Sequence, residues 1–205
     1  MRGPEGRATS HAMELAMSTG SWVAIGAGAV VVLWIVVTFN RIVGLRNRVN
    51  ESFSGVDVQL KRRHDLVPNL VKTVKAYAKH ERETLEEVVE ARGAAEQAEA
   101  LGDRQQTENG LSRSLDKLIA LVERYPELKA DGNFRRLHGD LVQIEDDLQY
   151  ARRYYNGTVR DFNTHIQQFP AAMLAGLLAA KPRDFFEIDD PAERGAEKIS
   201  FDDVE

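Results

Sequence analysis

The chain has 205 residues, a formal net charge of −5 and a pI of about 5.6. That length accommodates one domain with appendages, and the acidic balance argues against a general nucleic-acid binder, which carries a basic face. Cysteine is absent, which excludes disulfide scaffolds, thiolate metal centres and cysteine nucleophiles.

Residues 1–20 read as a short polar tail without structure, with Met13 and Met17 as alternative starts. Residues 21–40 read as a transmembrane helix. No charge occurs from Leu15 to Asn40, and the apolar heart WVAIGAGAVVVLWIVVTF runs from Trp22 to Phe39. As a helix this heart reaches ~27 Å, close to the bilayer hydrocarbon thickness. A cleaved signal peptide would show a shorter apolar region and a small-residue cleavage pattern, so an uncleaved anchor is the preferred reading. Trp22 sits where an interfacial ring is expected, and Arg41, Arg46 and Arg48 follow the anchor closely enough to meet anionic headgroups. The Lys/Arg bias puts the C-terminal domain on the cytoplasmic side of an inner membrane and the N-terminus outside. Small residues at Ala24 and Gly28 permit close helix approach, a hint of a homo-oligomer.

Residues 41–170 carry helical periodicity throughout. Val49, Phe53, Val56, Leu60, Val67, Leu70, Val74 and Tyr77 form one stripe, as a core-facing helix requires. Leu85, Val88 and Ala95 form a second; Leu111, Leu115, Leu118, Val122 and Tyr125 a third; Leu137, Leu141, Ile144, Leu148, Ala151, Tyr155, Phe162, Ile166 and Phe169 a fourth. A break is expected near Lys79–Glu81, and the polar stretch GDRQQTENG is expected to separate the second and third helices. Pro126 stops the third, Asn133 is expected to cap the fourth, and Pro170 ends it. The predicted fold is all-α: the N-terminal transmembrane helix, then an antiparallel up-and-down four-helix bundle with two long helices. The first soluble helix would be continuous with the anchor, with a kink at Pro68, which lacks an N–H.

Taken together, an anchor followed by RIVGLRNRVNESFSGVDVQLKRRHDLVPNLVKTVKAYAKHERETLEEVVEAR, then YPELKADGNFRRLHGDLVQIEDDLQYARRYYNGTVRDFNTHIQQFP and DFFE, resembles the LemA family of bacterial membrane proteins. The resemblance covers about residues 38–187 and is most specific in KRRHDLVPNLV and ARRYYNGTVRDFNTHIQQFP. It implies a single-pass inner-membrane protein with a cytoplasmic four-helix domain and no established enzymatic activity. It also implies a magnetosome-associated branch among relatives and frequent gene neighbourhood with membrane metalloproteases. The chain departs from the family at its end, where EKISF, Glu197 to Phe201, lacks the proline that usually precedes a Val-x-Phe.

The chemical candidates divide as follows. His64-Asp65 and His80-Glu81 are sequence neighbours, which do not face one another on a helix; an acid–base pair would need a partner such as Glu145 or Asp146 from another helix. The five histidines make no i, i+4 pair and no H-E-x-x-H or E-x-x-H motif, so no metal site or cofactor is expected. Lys61-Arg62-Arg63 and Arg152-Arg153 are interleaved with carboxylates, which reads as an interhelical ion-pair network and not as a nucleic-acid patch. The candidate polar-network or partner-binding residues are Arg63, His64, Asp65, Glu81, Arg92, Arg152, Tyr155, Asn156 and Asn163; Asn156 and Asn163 share a helix face. Residues 171–186 form a short apolar segment, expected to pack on the bundle in preference to lying on the membrane or receiving a partner. Residues 187–205 are an acidic tail, either disordered or docked through Ile199 and Phe201. The function expected is that of a membrane-anchored, non-enzymatic adaptor or scaffold touching membrane lipids and a protein partner, such as a membrane protease system. The alternatives are a metal-dependent or acid–base hydrolase within the bundle, or a membrane-remodelling protein.

Overall fold

The computed structural model describes residues 5–186, with side chains from Gly20 onward. Among the described residues there are helices and connections and no strand. The helices are α1 (Glu5–Tyr77), α2 (Arg82–Gln97), α3 (Leu101–Val122), α4 (Pro126–Ala130), α5 (Gly132–Gln167) and α6 (Ala171–Leu177). The chain divides into two compact units, Met1–Arg48 with Asp161–Pro182, and Val49–Arg160 with Arg183–Glu205. The acidic tail and its anchors Ile199 and Phe201 lie outside the described residues.

In the first unit, α1 begins at Glu5, so the segment expected to be an unstructured tail is helical from there. Ala, Met, Leu and Glu dominate ATSHAMELAM and all favour helix. The apolar run that follows is long enough to cross a membrane and almost unburied. Trp22, Val30 and Leu33 are more than 60% exposed. Its last turns differ: Trp34 is half-buried, and Thr38 and Ile42 are buried. Phe162, Ile166, Ala171 and Ala175 are the buried residues of the unit's other stretch. Phe169, placed on the fourth stripe by periodicity, is instead 83% exposed, because α5 ends at Gln167 and the helical phase that would have buried it ends there too.

The second unit is organised by one apolar cluster. It draws Val67, Leu70 and Val74 from α1, Leu85 and Val88 from α2, Leu111, Leu115 and Leu118 from α3, Leu128 from α4, and Phe134 and Leu141 from α5. Each buried large apolar side chain contributes about 1.5–3 kcal/mol relative to exposure. Two of the expected boundaries move. The stretch GDRQQTENG is not a break but the first half of α3; its Arg, Gln and Glu are good helix formers, and Asp103 in the first turn suits the helix dipole. The chain turns instead at Ala98–Ala100, where both terminal residues have extended backbone. The cap of α5 is Asp131, not Asn133: Asp131 Oδ1 accepts the Phe134 N–H at 2.8 Å. That bond first, and the Tyr77 hydroxyl second, hold the Asp131 carboxyl below the usual aspartate range. Tyr77 is correspondingly not a core residue but donates its hydroxyl to Asp131 Oδ2 at 3.0 Å. Pro126 follows the end of α3 and opens the short α4 at its first turn, where a missing N–H costs nothing.

Pro68, where a kink is expected, stands inside α1, which continues to Tyr77. Pro68 cannot donate to the carbonyl of His64, four residues earlier. The structure supplies another donor. Arg92 on α2 gives its Nε–H to His64 O at 2.7 Å and its Nη2 to Glu96 at 2.6 Å. The proline thus frees a carbonyl that joins two helices. Arg92→Ala should therefore destabilise the protein by about 1–3 kcal/mol, the cost of an unsatisfied buried acceptor. In a Pro68→Ala background, where residue 68 regains its N–H, that loss should shrink by about 1 kcal/mol or more. Urea unfolding of the four proteins measures the coupling, and additive effects would dismiss the link.

Candidate functional site

The stripe on α1 contains an intruder. Between Leu60 and Val67, at the same three-to-four spacing, stands Arg63, which is 1% exposed. Its Nη1 donates to Glu108 Oε2 on α3 at 3.2 Å and its Nη2 to Ser112 Oγ at 2.8 Å. Its Nε lies 2.8 Å from Glu145 Oε1 on α5, but neither atom meets hydrogen-bond geometry; we read this as a charge contact alone. His64 Nε2 and Glu108 Oε1 are 2.7 Å apart, so both oxygens of the fully buried Glu108 are engaged. The result is a polar layer in which α1, α3 and α5 meet through charge, with apolar residues to either side: Val56 and Leu60 before it on α1, Val67 and Leu70 after it.

Arg152 on α5 is buried and its Nε has no hydrogen-bond partner. Burial, first, and the nearby Arg63 charge, second, push its pKa below the ordinary arginine value, against the pull of Glu145 and Glu108. Its guanidinium lies over the Phe186 ring, 4.6 Å from the centroid, a cation–π contact in a desolvated place.

Phe186 belongs to an extended strap, residues 183–186, held almost wholly by its backbone. Asn156 donates its amide to Phe186 O at 2.9 Å and accepts the Phe186 N–H at 2.8 Å. The Tyr155 hydroxyl donates to Asp184 O at 2.9 Å, and Gln105 donates to Phe185 O at 3.0 Å. Phe186 is 1% exposed. Tyr155 also packs on Phe53, with ring centroids 5.5 Å apart, and Arg104 covers the other partner, Phe53, at 5.4 Å. Arg104 further pairs with Asp57.

The structure therefore brings together Arg63, His64, Arg92, Arg152, Tyr155 and Asn156 of the residues selected from sequence. It does not bring in the other three. Asp65 is solvent-exposed and pairs with Lys61 one turn away. Glu81 sits elsewhere in the unit, accepting from the Tyr125 hydroxyl at 3.0 Å and pairing with Arg124. Asn163 belongs to the first unit, while Asn156 uses both ends of its amide on Phe186. The residue missed was Glu108. A signal existed: counted back from Leu111, Glu108 falls three residues earlier, on the third apolar stripe, but it lay in a stretch read as a loop. Arg63 pairs with Glu108 and Glu145, whereas the acid–base partner expected for His64 was Glu145 or Asp146.

An open cleft of about 360 Å³ adjoins this layer, lined by Asp57, Leu60, Lys61, His64, Ala95, Glu96, Ala98, Arg104 and Glu108. Among the described residues no group of three or more His, Asp or Glu is placed to hold a metal ion. Glu108 is unexposed, and each of its oxygens has a partner on α1, Arg63 for one and His64 for the other.

Comparison with known proteins returns one family model, the LemA family, matched over residues 52–201. The chain is also similar to the magnetosome proteins MamQ 2 and MamQ 1 of Paramagnetospirillum magneticum, each 26% identical over 179 residues, covering 75% of this chain and 66% of the relative. A third is the magnetosome protein MamQ of Magnetospirillum gryphiswaldense, 25% identical over 178 residues, with 74% and 65% covered. The chain thus spans just under two thirds of the length of these relatives.

Two outcomes test the site. Glu108→Ala leaves Arg63 buried without its carboxylate and should cost about 3–5 kcal/mol in urea unfolding, whereas Asp65→Ala, an exposed pair, should cost under about 1 kcal/mol. Asn156→Ala should free the strap and raise the rate of trypsin cleavage after Arg183 several-fold; an unchanged rate would mean that Phe186 alone holds the segment.

Proposed function

We propose that this chain, which belongs to the LemA family, is a membrane-anchored, non-enzymatic helical adaptor or scaffold. The observation that carries the reading is the apolar run of α1, whose large side chains from Trp22 to Val37 are nearly all exposed. Each forfeits about 1.5–3 kcal/mol in water, so lipid is the solvent that suits them. In this reading α1 crosses the inner membrane once, the N-terminus lies outside, and the Arg41–Arg46–Arg48 collar holds the cytoplasmic side. The remaining helical segments form an up-and-down four-helix bundle. The buried charges Arg63, His64 and Glu108 of the second unit are engaged with one another, which supports a body that presents surfaces to protein partners over one that turns over a substrate. A membrane protease system is the partner class we favour, and self-association through Ala24 and Gly28 is compatible with it.

The natural absence of cysteine makes the test direct. Val89, exposed on α2, is replaced by cysteine (V89C). An impermeant maleimide should label it in inverted vesicles and not in spheroplasts; the opposite pattern reverses the topology. A photo-crosslinker on the same thiol, activated in native membranes, should yield a discrete adduct with another protein or with a second copy. Consistent absence of any adduct, from V89C and from comparable exposed positions, would remove the adaptor reading.

A further inference from the structure

The segment 167–182 has two faces. Ala171 and Ala175, one turn apart, are buried, while Met173 and Leu177, also one turn apart and on the opposite side of α6, are 66% and 84% exposed. Phe169, just before the helix, is 83% exposed. Three large apolar side chains in nine residues thus project away from the protein, beside small residues that seat the helix. Scattered exposed apolar residues need no explanation, but a contiguous row does.

What covers this row follows from its place in the first unit. That unit contains, besides 161–182, only the beginning of the chain to Arg48, and therefore the whole apolar run of α1. His165, at the end of α5, is close enough to Arg41 for the arginine's charge to act on it; burial first, and Arg41 second, lower its pKa. Arg41 is the first charged residue after the run, so α5 ends at the level where the apolar surface of α1 begins. On that surface all is exposed except one line of residues at helical spacing, Trp34, Thr38 and Ile42. A helix cannot cover its own face, and the unit has no other stretch than 161–182 to do so. Trp34 lies two turns, ~10 Å, beyond Arg41 on the anchor side. Phe162 and Ile166, both buried, flank His165, and α6, with Ala171 and Ala175 buried, follows them in the chain.

We propose that α6 is a second membrane contact, an interfacial element that inserts Phe169, Met173 and Leu177 into the headgroup–acyl boundary of the leaflet from which α1 emerges. The inference rests on the reading of α1 as a membrane anchor. The row then continues the lipid-facing surface of α1 sideways, and Lys181 just past the helix joins Arg41 at the headgroup level, as interfacial elements commonly arrange their cations. Sequence reading favoured packing for residues 171–186; Ala171, Ala175 and Phe186 are buried there, whereas Met173 and Leu177 are not.

The test uses the full chain in vesicles of phosphatidylcholine and phosphatidylglycerol, with single cysteines carrying an environment-sensitive fluorophore at V30C in the apolar run, M173C on α6 and V89C on α2. All three positions are exposed, so the labels replace no core contact. With brominated phosphatidylcholine, V30C should be quenched most, M173C at least half as much, and V89C hardly at all. Quenching of M173C no greater than V89C, with V30C quenched, overturns the proposal and leaves the anchor standing. Failure of V30C to be quenched overturns both. Shielding of labelled M173C from water without lipid quenching, accompanied by disulfide pairing between copies of the unlabelled M173C protein under a mild oxidant, would assign the row to a second copy and overturn the lipid contact. As a second variant, M173E with L177E should lower quenching of a label at A172C by at least half while the helical circular dichroism is kept; undiminished quenching counts against insertion.

Discussion

Arg63 and Glu108 meet out of water, and the second unit is arranged around that meeting. Removing two such charges from solvent costs several kcal/mol per ion, which their attraction offsets only when every remaining lone pair and proton is used. Here the guanidinium also reaches Ser112 and lies against Glu145, and the second carboxylate oxygen takes His64. Satisfying all of these at once requires α1, α3 and α5 to hold one axial position relative to each other within the unit. The apolar cluster beyond Val67 would tolerate a slip of a turn; a charge layer would not. Stability therefore comes from the leucines and valines, and register from the ions.

The same layer ties distant pieces of chain to it. Pro68 removes one hydrogen bond from α1, and the carbonyl so released is the one that Arg92 takes. A feature that reads locally as a helix breaker becomes a joint between α1 and α2, one residue from Arg63. On the α5 side, Arg152 is too buried to be hydrated, and the Phe186 ring covers it. Phe186 is in turn held by backbone bonds to Asn156, a form of recognition that depends on the extended conformation of the strap more than on its side chains.

In the first unit the governing constraint is solvent, not charge. The apolar side chains of its α1 run are arranged for a medium that does not compete for hydrogen bonds, and within that run the line Trp34–Thr38–Ile42 is the part withdrawn from solvent. A chain of this kind has two distinct surfaces to offer: an apolar one that selects the membrane, and the exposed polar faces of the second unit. In the second unit, Arg63, His64 and Glu108 are engaged with one another and hold helices together.

Much of this was legible in the residues themselves. Periodicity located the helices, because burial on one side is imposed at every turn, and the uncharged run announced its solvent by composition. Local rules failed where a residue's partner lay on another helix. GDRQQTENG has the polarity of a loop, yet it is helical, and Glu108 within it is tolerated in the interior only because Arg63 and His64 arrive from α1. Pro68 leaves a helix carbonyl without its usual donor, and the donor that takes it, Arg92, comes from α2. Asn156 and Asn163 share a face by spacing, but the strap from thirty residues on claims the first of them. The amino-acid sequence by itself determined the helical stretches that carry an apolar stripe, the apolar face of each and the stretch that suits a membrane, since these follow from short-range repeats. Tertiary structure alone decided which buried charges are paired and with whom, because a charge is admitted to the interior only by a partner that the chain brings from far away.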